Sequence, residues 1–271
     1  MDPCKVPVVL LYNQDPSWTP DEKSEVDTLS SQLAKAISSV GHPVTLLPLT
    51  DSNLSAALLP FDRLSHVILN WCENLPSIPK SESAVVRILE SAGFTFTGAD
   101  ASTLELAQNK RAMKEILNRA GIPTPAWRLY ECPDSEGWDQ FPAIVKAANE
   151  HCSEGLTRES VVMNESELQD RINHVLVTFG QPALVEDFID GREFHVSLWG
   201  NGAIEVLPPA EMDFSRFNDI HDRLCTYESK FVPGSKYYEG IQTLLPAPLN
   251  PEELRRLQEV CRSAYRAIGC R

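Results

Sequence analysis

A lysine at the end of an apolar run is the first residue of this chain suited to chemistry. In "FPAIVKAANEHCSEGL", residues 141–156, a strand-like run from Phe141 to Val145 delivers Lys146 into a polar segment holding Asn149, His151, Ser153 and Gly155. A compact, hydrated ammonium followed by small hydrogen-bonding groups suits phosphate oxygens. The same residues also suit a strand that leaves the core with a charge marking its end. Cys152, in the same segment, is a second reactive group. With no convincing base in the local sequence, a nucleophilic role for it is not expected.

The rest of the composition narrows the choice. The 271 residues are 42% hydrophobic, enough to bury two compact domains. Lysine and arginine number 24 against 38 aspartates and glutamates, a net charge of −14. That balance argues against a nucleic-acid partner or an anionic membrane surface, both of which need a basic field. It leaves room for a local basic site that takes a small anion. The longest apolar runs, such as "VPVVLLY" at 6–12, fall well short of a membrane span, and Met1, Asp2, Pro3 and Cys4 do not open a secretory leader. The cysteines, at 4, 72, 132, 152, 225, 261 and 270, are odd in number and form no CxxC pair. They suit reduced cytosolic thiols and point to neither a disulfide scaffold nor a zinc site.

Elements that could position Lys146 follow from periodicity. Strand patterns at 6–13, 42–49 and 64–70 alternate with helical patterns at 21–41 and 81–93, which predicts a parallel sheet with helices on both faces. Ligands of such sheets sit beyond the carboxyl ends of the strands, here 13–18 and 70–74. No GxGxxG follows the first strand. Residues 102–127 predict a helix opened by a Ser102–Glu105 capping box and closed by Gly121, with a domain boundary just before it, near Gly98 to Ala101. From 126 onward short strands predominate, with a helix at 165–179 and a hairpin turning on Asn201–Gly202, an antiparallel α+β pattern. Residues 211–243 carry little periodicity and are expected as a long loop. Asn250, Pro251 and Gly269 bound a clear final helix.

Three blocks in order, "FTGADASTLELAQNKRAMKEILNRAGIPTP" (96–125), "FPAIVKAANEHCSEGL" (141–156) and "LVEDFIDGREFHV" (184–196), resemble the ATP-grasp superfamily in its D-alanine–D-alanine ligase branch. The likeness runs from about residue 64 to 271, and the N-terminal part matches in type of fold more than in residues. It implies an α/β chain: an N-terminal parallel-sheet domain over 1–100, then an α+β ATP-grasp domain over 101–271 with antiparallel sheets. The latter has a central subdomain at about 126–205 and an incomplete C-terminal subdomain at about 206–271. It also implies an ATP-dependent carboxylate–amine ligase working through an acylphosphate, with Mg2+, in a cytoplasmic step of peptidoglycan biosynthesis, and homodimers built on the N-terminal domain.

Carried over residue by residue, Lys110 and Lys146 neutralise phosphate oxygens from two directions, and 149–155 closes over them with the Ser153 hydroxyl. Glu186 reads the adenine edge together with the backbone of Phe188 and Ile189. Glu193 binds the ribose hydroxyls, and Gly191 permits the turn between strands. In "TYESKF", Tyr227 is a lid or packing residue and Lys230 neutralises charge on the transferring phosphoryl group. Glu211 takes the place of an acid in the family's "E-[IV]-x-F" segment, or is a solvated loop acid. Two departures matter. The family's magnesium ligands, an Asp strand and a later Glu-x-Asn strand, are expected beyond Arg271, so a truncated chain lacking its metal site is anticipated. The glycine-rich loop after the first strand is replaced by "NQDPSWTPDEKSEV", leaving Glu22 and Glu25, with Glu73 after the third strand, for a substrate amine. The substrates are therefore small amino acids or peptides, D-alanine or others. A nucleotide-binding module without catalysis is the reading from another class.

Overall fold

The computed structural model describes residues 5–271, so Met1–Cys4 and the reading placed on them lie outside it. The chain divides into two compact units, Met1–Glu105 and Leu106–Arg271.

The first unit alternates strand and helix: β1 (Val8–Asn13), α1 (Pro20–Ser39), β2 (Val44–Leu49), α2 (Leu54–Leu58), β3 (Val67–Trp71), α3 (Glu82–Ala92) and β4 (Thr95–Phe96). The sheet order is β2-β1-β3-β4, all parallel, with Val8 opposite both Val44 and Val67. The central strand β1 is apolar on both faces because helices cover both, and Val9, Leu10 and Leu11 are fully buried. Around Val9 and Leu11 pack Leu49, Leu54, Ile68, Val85 and Leu89. The helices are capped as their sequences suggest: Thr19 and Glu22 form a reciprocal capping box on α1, and Gly93 closes α3 in the left-handed conformation.

The predicted helix opened at Ser102 and closed by Gly121 is two helices, α4 (Ala101–Gln108) and α5 (Lys110–Arg119). Asn109 breaks them and caps α5 by accepting from the Ala112 N–H. Ser102 is not the cap expected of it. Asp100 takes that role, accepting from the Thr103 N–H at 2.8 Å. Asp100 stands at the N-cap, immediately before the first helical residue, whereas Ser102 already lies inside the first turn.

The second unit continues with β5 (Trp127–Tyr130), β6 (Ala143–Ala147), β7 (Val161–Val162), α6 (Glu165–Phe179) and β8 (Ala183–Asp187). Four strands form an antiparallel sheet of order β5-β8-β6-β7, with Ile144 opposite Glu186 and Lys146 opposite Leu184. Then come β9 (Glu193–His195), β10 (Leu198–Trp199), β11 (Glu205–Val206), β12 (Ala210–Asp213), α7 (Tyr227–Phe231), α8 (Lys236–Gly240), β13 (Gln242–Leu244) and α9 (Pro251–Ile268). The β10–β11 hairpin pairs Trp199 with Glu205, so its turn spans 200–204 and is wider than the Asn201–Gly202 pair. A three-stranded sheet, β13-β12-β9, holds Glu211 opposite Phe194. Residues 211–243 are thus not a long loop. Their elements are too short for periodicity to register, yet Asp219, Thr226 and Ser235 each cap a helical turn with their side chains.

Candidate functional site

Strand alternation decides which side chains of the four-stranded sheet are available. Ala143, Val145, Ala147, Ala183 and Val185 pack beneath Leu168, Ile172 and Val175 of α6. The opposite face carries Ile144, Lys146, Leu184 and Glu186. On that face Ile144, Val161 and Leu224, flanked by Leu156 and Phe188, make a small apolar patch. Glu186, 4% exposed, stands beside it between two ammonium groups. Lys146 Nζ lies 2.6 Å from one carboxylate oxygen, and Lys114 Nζ, from α5, contacts the other. Lys114 also donates to Thr124 Oγ1 at 2.5 Å. Burial pushes the Glu186 carboxyl up, but the two lysines outweigh it and hold the group below its ordinary value. Glu186 and Lys146 are thus brought together as a buried ion cluster.

Lys110 behaves differently. It opens α5, but its ammonium donates to the carbonyls of Ala147 and Glu150, tying down the exit of β6. The following segment is held at several points. The Asn149 N–H donates to Gln181 Oε1 at 2.6 Å, and Arg171 Nη2 donates to the Gly155 carbonyl at 2.6 Å. Cys152 and Ser153 sit at φ of 52° and 64°, left-handed positions that cost a non-glycine residue about 1 kcal/mol or more each. Ser153 offsets this through its hydroxyl, which donates to the Cys225 carbonyl at 2.8 Å and accepts from Lys230 Nζ at 2.8 Å. Ser153 and Lys230, 77 residues apart, therefore meet. Gly155, at φ 72°, is required by more than its backbone: a Cβ there would lie 2.4 Å from the Phe179 ring. Beyond the segment is a cleft of about 870 Å³, lined in part by His151, Gly155, Thr226 and Tyr227. Tyr227 is half exposed and tilts against Phe231 at 4.8 Å, a packing contact at the rim.

The stretch after β8 is only partly as expected. The Phe188 N–H donates to the Pro142 carbonyl at 3.0 Å, and the Ile189 carbonyl accepts from Gly191. The Ile189 N–H carries no main-chain hydrogen bond among the described residues, and its side chain is 67% exposed. Gly191 does not hold the left-handed conformation that would make glycine necessary there. Glu193 opens β9 with its carboxylate 3.0 Å from His195 Nε2. Glu211 is not a solvated acid: Arg192 grips it with two 2.7 Å hydrogen bonds, holding it below the usual carboxylate range. Asp222, also buried, gathers Arg158, Lys236 and Tyr237.

In the first unit the expected substrate acids separate. Glu22 is spent on the start of α1, where its carboxylate accepts from both the N–H and the hydroxyl of Thr19. In the structure Glu22 thus serves as a helix cap. Glu25 is exposed on α1, and Glu73 is exposed just past β3. The Glu73 backbone is anchored: its N–H donates to Asn13 Oδ1 at 2.7 Å, while Asn13 Nδ2 donates to the Asn74 carbonyl at 2.5 Å. The ends of β1 and β3 are thus stitched by one asparagine.

The family model for the D-Ala D-Ala ligase C-terminus matches residues 116–271. The chain belongs to the D-alanine–D-alanine ligase family. Among relatives, a D-alanine–D-alanine ligase of Oleidesulfovibrio alaskensis is 30% identical over 239 residues, covering 87% of this chain and 70% of that protein. An uncharacterized protein of Sinorhizobium fredii is 28% identical over 268 residues, covering 96% and 74%. The D-alanine–D-alanine ligase of Bacillus anthracis, solved in complex with ATP, matches with a TM-score of 0.67 at 16% identity, covering 98% of this chain and 78% of that one. At that identity the structural likeness speaks for the fold, an α/β chain with one parallel sheet and several antiparallel ones.

Magnesium, the ion that the resemblance implies, takes oxygen ligands in an octahedron. Among the described residues, one group of three or more ligating side chains lies close enough to share an ion: Glu193, His195 and Cys225. One oxygen, one nitrogen and one sulfur donor do not fit Mg2+. Lys114 is the site residue that sequence reasoning missed. A signal existed, because it lies four residues after Lys110 and so on the same side of α5. Cys225 was counted only as a scattered thiol, since nothing local links it to β9.

Proposed function

We propose that this chain is an ATP-dependent carboxylate–amine ligase of the D-alanine–D-alanine type, with its nucleotide at the face of the four-stranded sheet opposite α6. The observation that carries this is the convergence of Lys146 and Lys114 on Glu186 beside an apolar patch. An adenine ring needs a flat apolar surface with hydrogen-bonding groups at its edge. Phe188 and Leu156, the half-buried flanks of the Ile144–Val161–Leu224 cluster, border the first, and Glu186 with the Ile189 N–H supplies the second. The phosphates extend toward Lys146 and the 149–156 segment. Lys110 supports that segment from behind and makes no phosphate contact in this reading. Glu193 binds the ribose.

In the reaction, a substrate carboxylate oxygen attacks the γ-phosphorus and ADP leaves, forming an acylphosphate. An amine then attacks the acyl carbon and phosphate leaves. No protein nucleophile is needed, so the chain's part is positioning and charge neutralisation. Lys230 acts in the first step: from its bond to Ser153 it can swing onto developing charge at the transferred phosphoryl group. Ser153 loses a partner as Lys230 leaves but keeps its bond to the Cys225 carbonyl. Tyr227 covers the rim. The reading places the protein in the cytoplasm, and no helix among the described residues is long and apolar enough to cross a membrane.

The cap on α1 bears on which acids remain for a substrate amine. With Glu22 occupied as a cap, recognition of an amine falls to Glu25 or Glu73. ADP release measured across D-alanine, other amino acids and short peptides tests this directly. The nucleotide assignment is tested by calorimetry with ATP in excess magnesium. Lys146→Ala is expected to weaken binding by roughly tenfold or more, the loss of a charge-assisted hydrogen bond. Equal affinity in wild type and variant removes Lys146 from the site.

A further inference from the structure

We propose that Glu193, His195 and Cys225 form a binding site for a transition-metal ion of the Zn2+ class. Each side chain offers one ligand atom, and the three atoms lie within 4.8 Å of one another. Ligand atoms around a tetrahedral zinc stand about 3.5 Å apart, so modest side-chain rotation closes the set. The contributing backbone is already placed. Glu193 and His195 alternate with Phe194 on β9 and share one face, and β9 is paired along its length with β12. Phe194 lies under the Arg192 guanidinium at 4.9 Å, which holds the strand's register of faces. Cys225 comes from the distant segment before α7, where its carbonyl accepts from Ser153 and the next residue, Thr226, caps the helix. His195 is exposed, leaving a fourth position open to water.

The donor chemistry selects the ion. A thiolate, an imidazole and one carboxylate suit Zn2+ and its neighbours and disfavour magnesium or calcium. Burial and the Glu193 carboxylate push the Cys225 thiol up to about 12, so the metal must displace its proton. That proton goes to solvent as the sulfur–metal bond forms. His195 Nε2, which now donates to Glu193 Oε1 at 3.0 Å, gives up that proton to solvent, and the ring takes the Nδ1–H tautomer so that the Nε2 lone pair can face the ion. Glu193 cannot serve metal and ribose together. Metal binding should therefore weaken nucleotide binding, a coupling that rests on the proposed nucleotide site while the metal site itself does not.

The test is titration of the chelator-stripped full chain with Zn2+ against a chromogenic chelator, and with Co2+ followed by absorption. One equivalent should bind, with a thiolate-to-cobalt charge-transfer band. Cys225→Ser should abolish that band. Cys152→Ser should keep it, although Cys152 lies 3.1 Å from His151 Nδ1 and is the rival thiol. His195→Ala, at an exposed position that does not threaten folding, should weaken Zn2+ binding by roughly tenfold or more. No band in the wild type, a band that survives Cys225→Ser, or unchanged affinity in His195→Ala overturns the site. Metal binding that leaves ATP affinity unchanged keeps the site and removes Glu193 from the ribose.

Discussion

Glu186 shows what a buried charge demands of its neighbours. Its carboxylate is 5% exposed and meets two lysines, so neither partner can be removed without leaving charge uncompensated. Lys114→Ala is expected to destabilise the protein by about 3–5 kcal/mol, read from urea unfolding. Lys146→Ala should cost less, since Lys146 is the more exposed of the two ammonium-bearing side chains. The same cluster sets a pH dependence. Because the folded carboxyl is held below its ordinary value of 4.5, its contribution is complete above that value and is lost as pH falls through the lower, folded one. Urea midpoints should therefore fall on acidification below about pH 5 in the wild type, and less steeply in Glu186→Gln. An equal slope in the two proteins would remove Glu186 as a source of the acid sensitivity.

At the scale of elements, the segment from Asn149 to Leu156 is held by contacts that no local pattern encodes. Gly155→Ala puts a methyl group into the Phe179 ring and strains a left-handed backbone, so a loss of roughly 1–3 kcal/mol is expected from thermal or urea unfolding. Phe179→Leu in the same background should recover part of it, because the smaller side chain gives way. Legibility in the sequence follows the same line. Helices with long periodic stripes and strong caps, α1, α6 and α9, stand within a residue or two of where periodicity places them. Five-residue helices such as α7 and α8 do not, because periodicity needs more residues than they have. Lys146 was legible as a strand-end lysine, whereas the spacing of Lys114 from Lys110 puts it on one side of α5 without saying which face a sheet will meet. The capping role of Glu22 was not legible, because a capping carboxylate and a free one look alike until Thr19 is weighed with it.

For the whole molecule, a charge of −14 with a pI near 4.9 decides what stays away. Duplex DNA and RNA should be repelled, and an electrophoretic shift at micromolar protein and moderate salt should find no complex. A shifted band would show a basic face that the net charge conceals. Small anions face the same average field and depend on a few lysines to overcome it. One of these, Lys146, is already engaged, which makes Glu186 an internal competitor for it. Any anion that recruits this ammonium binds with its intrinsic affinity multiplied by the fraction of time the lysine is free. A ligand with a single weak charge repays little of that displacement, whereas a polyphosphate that reaches further groups repays it several times over. The resting ion pair thus acts as a threshold that discriminates by total charge before any shape is read.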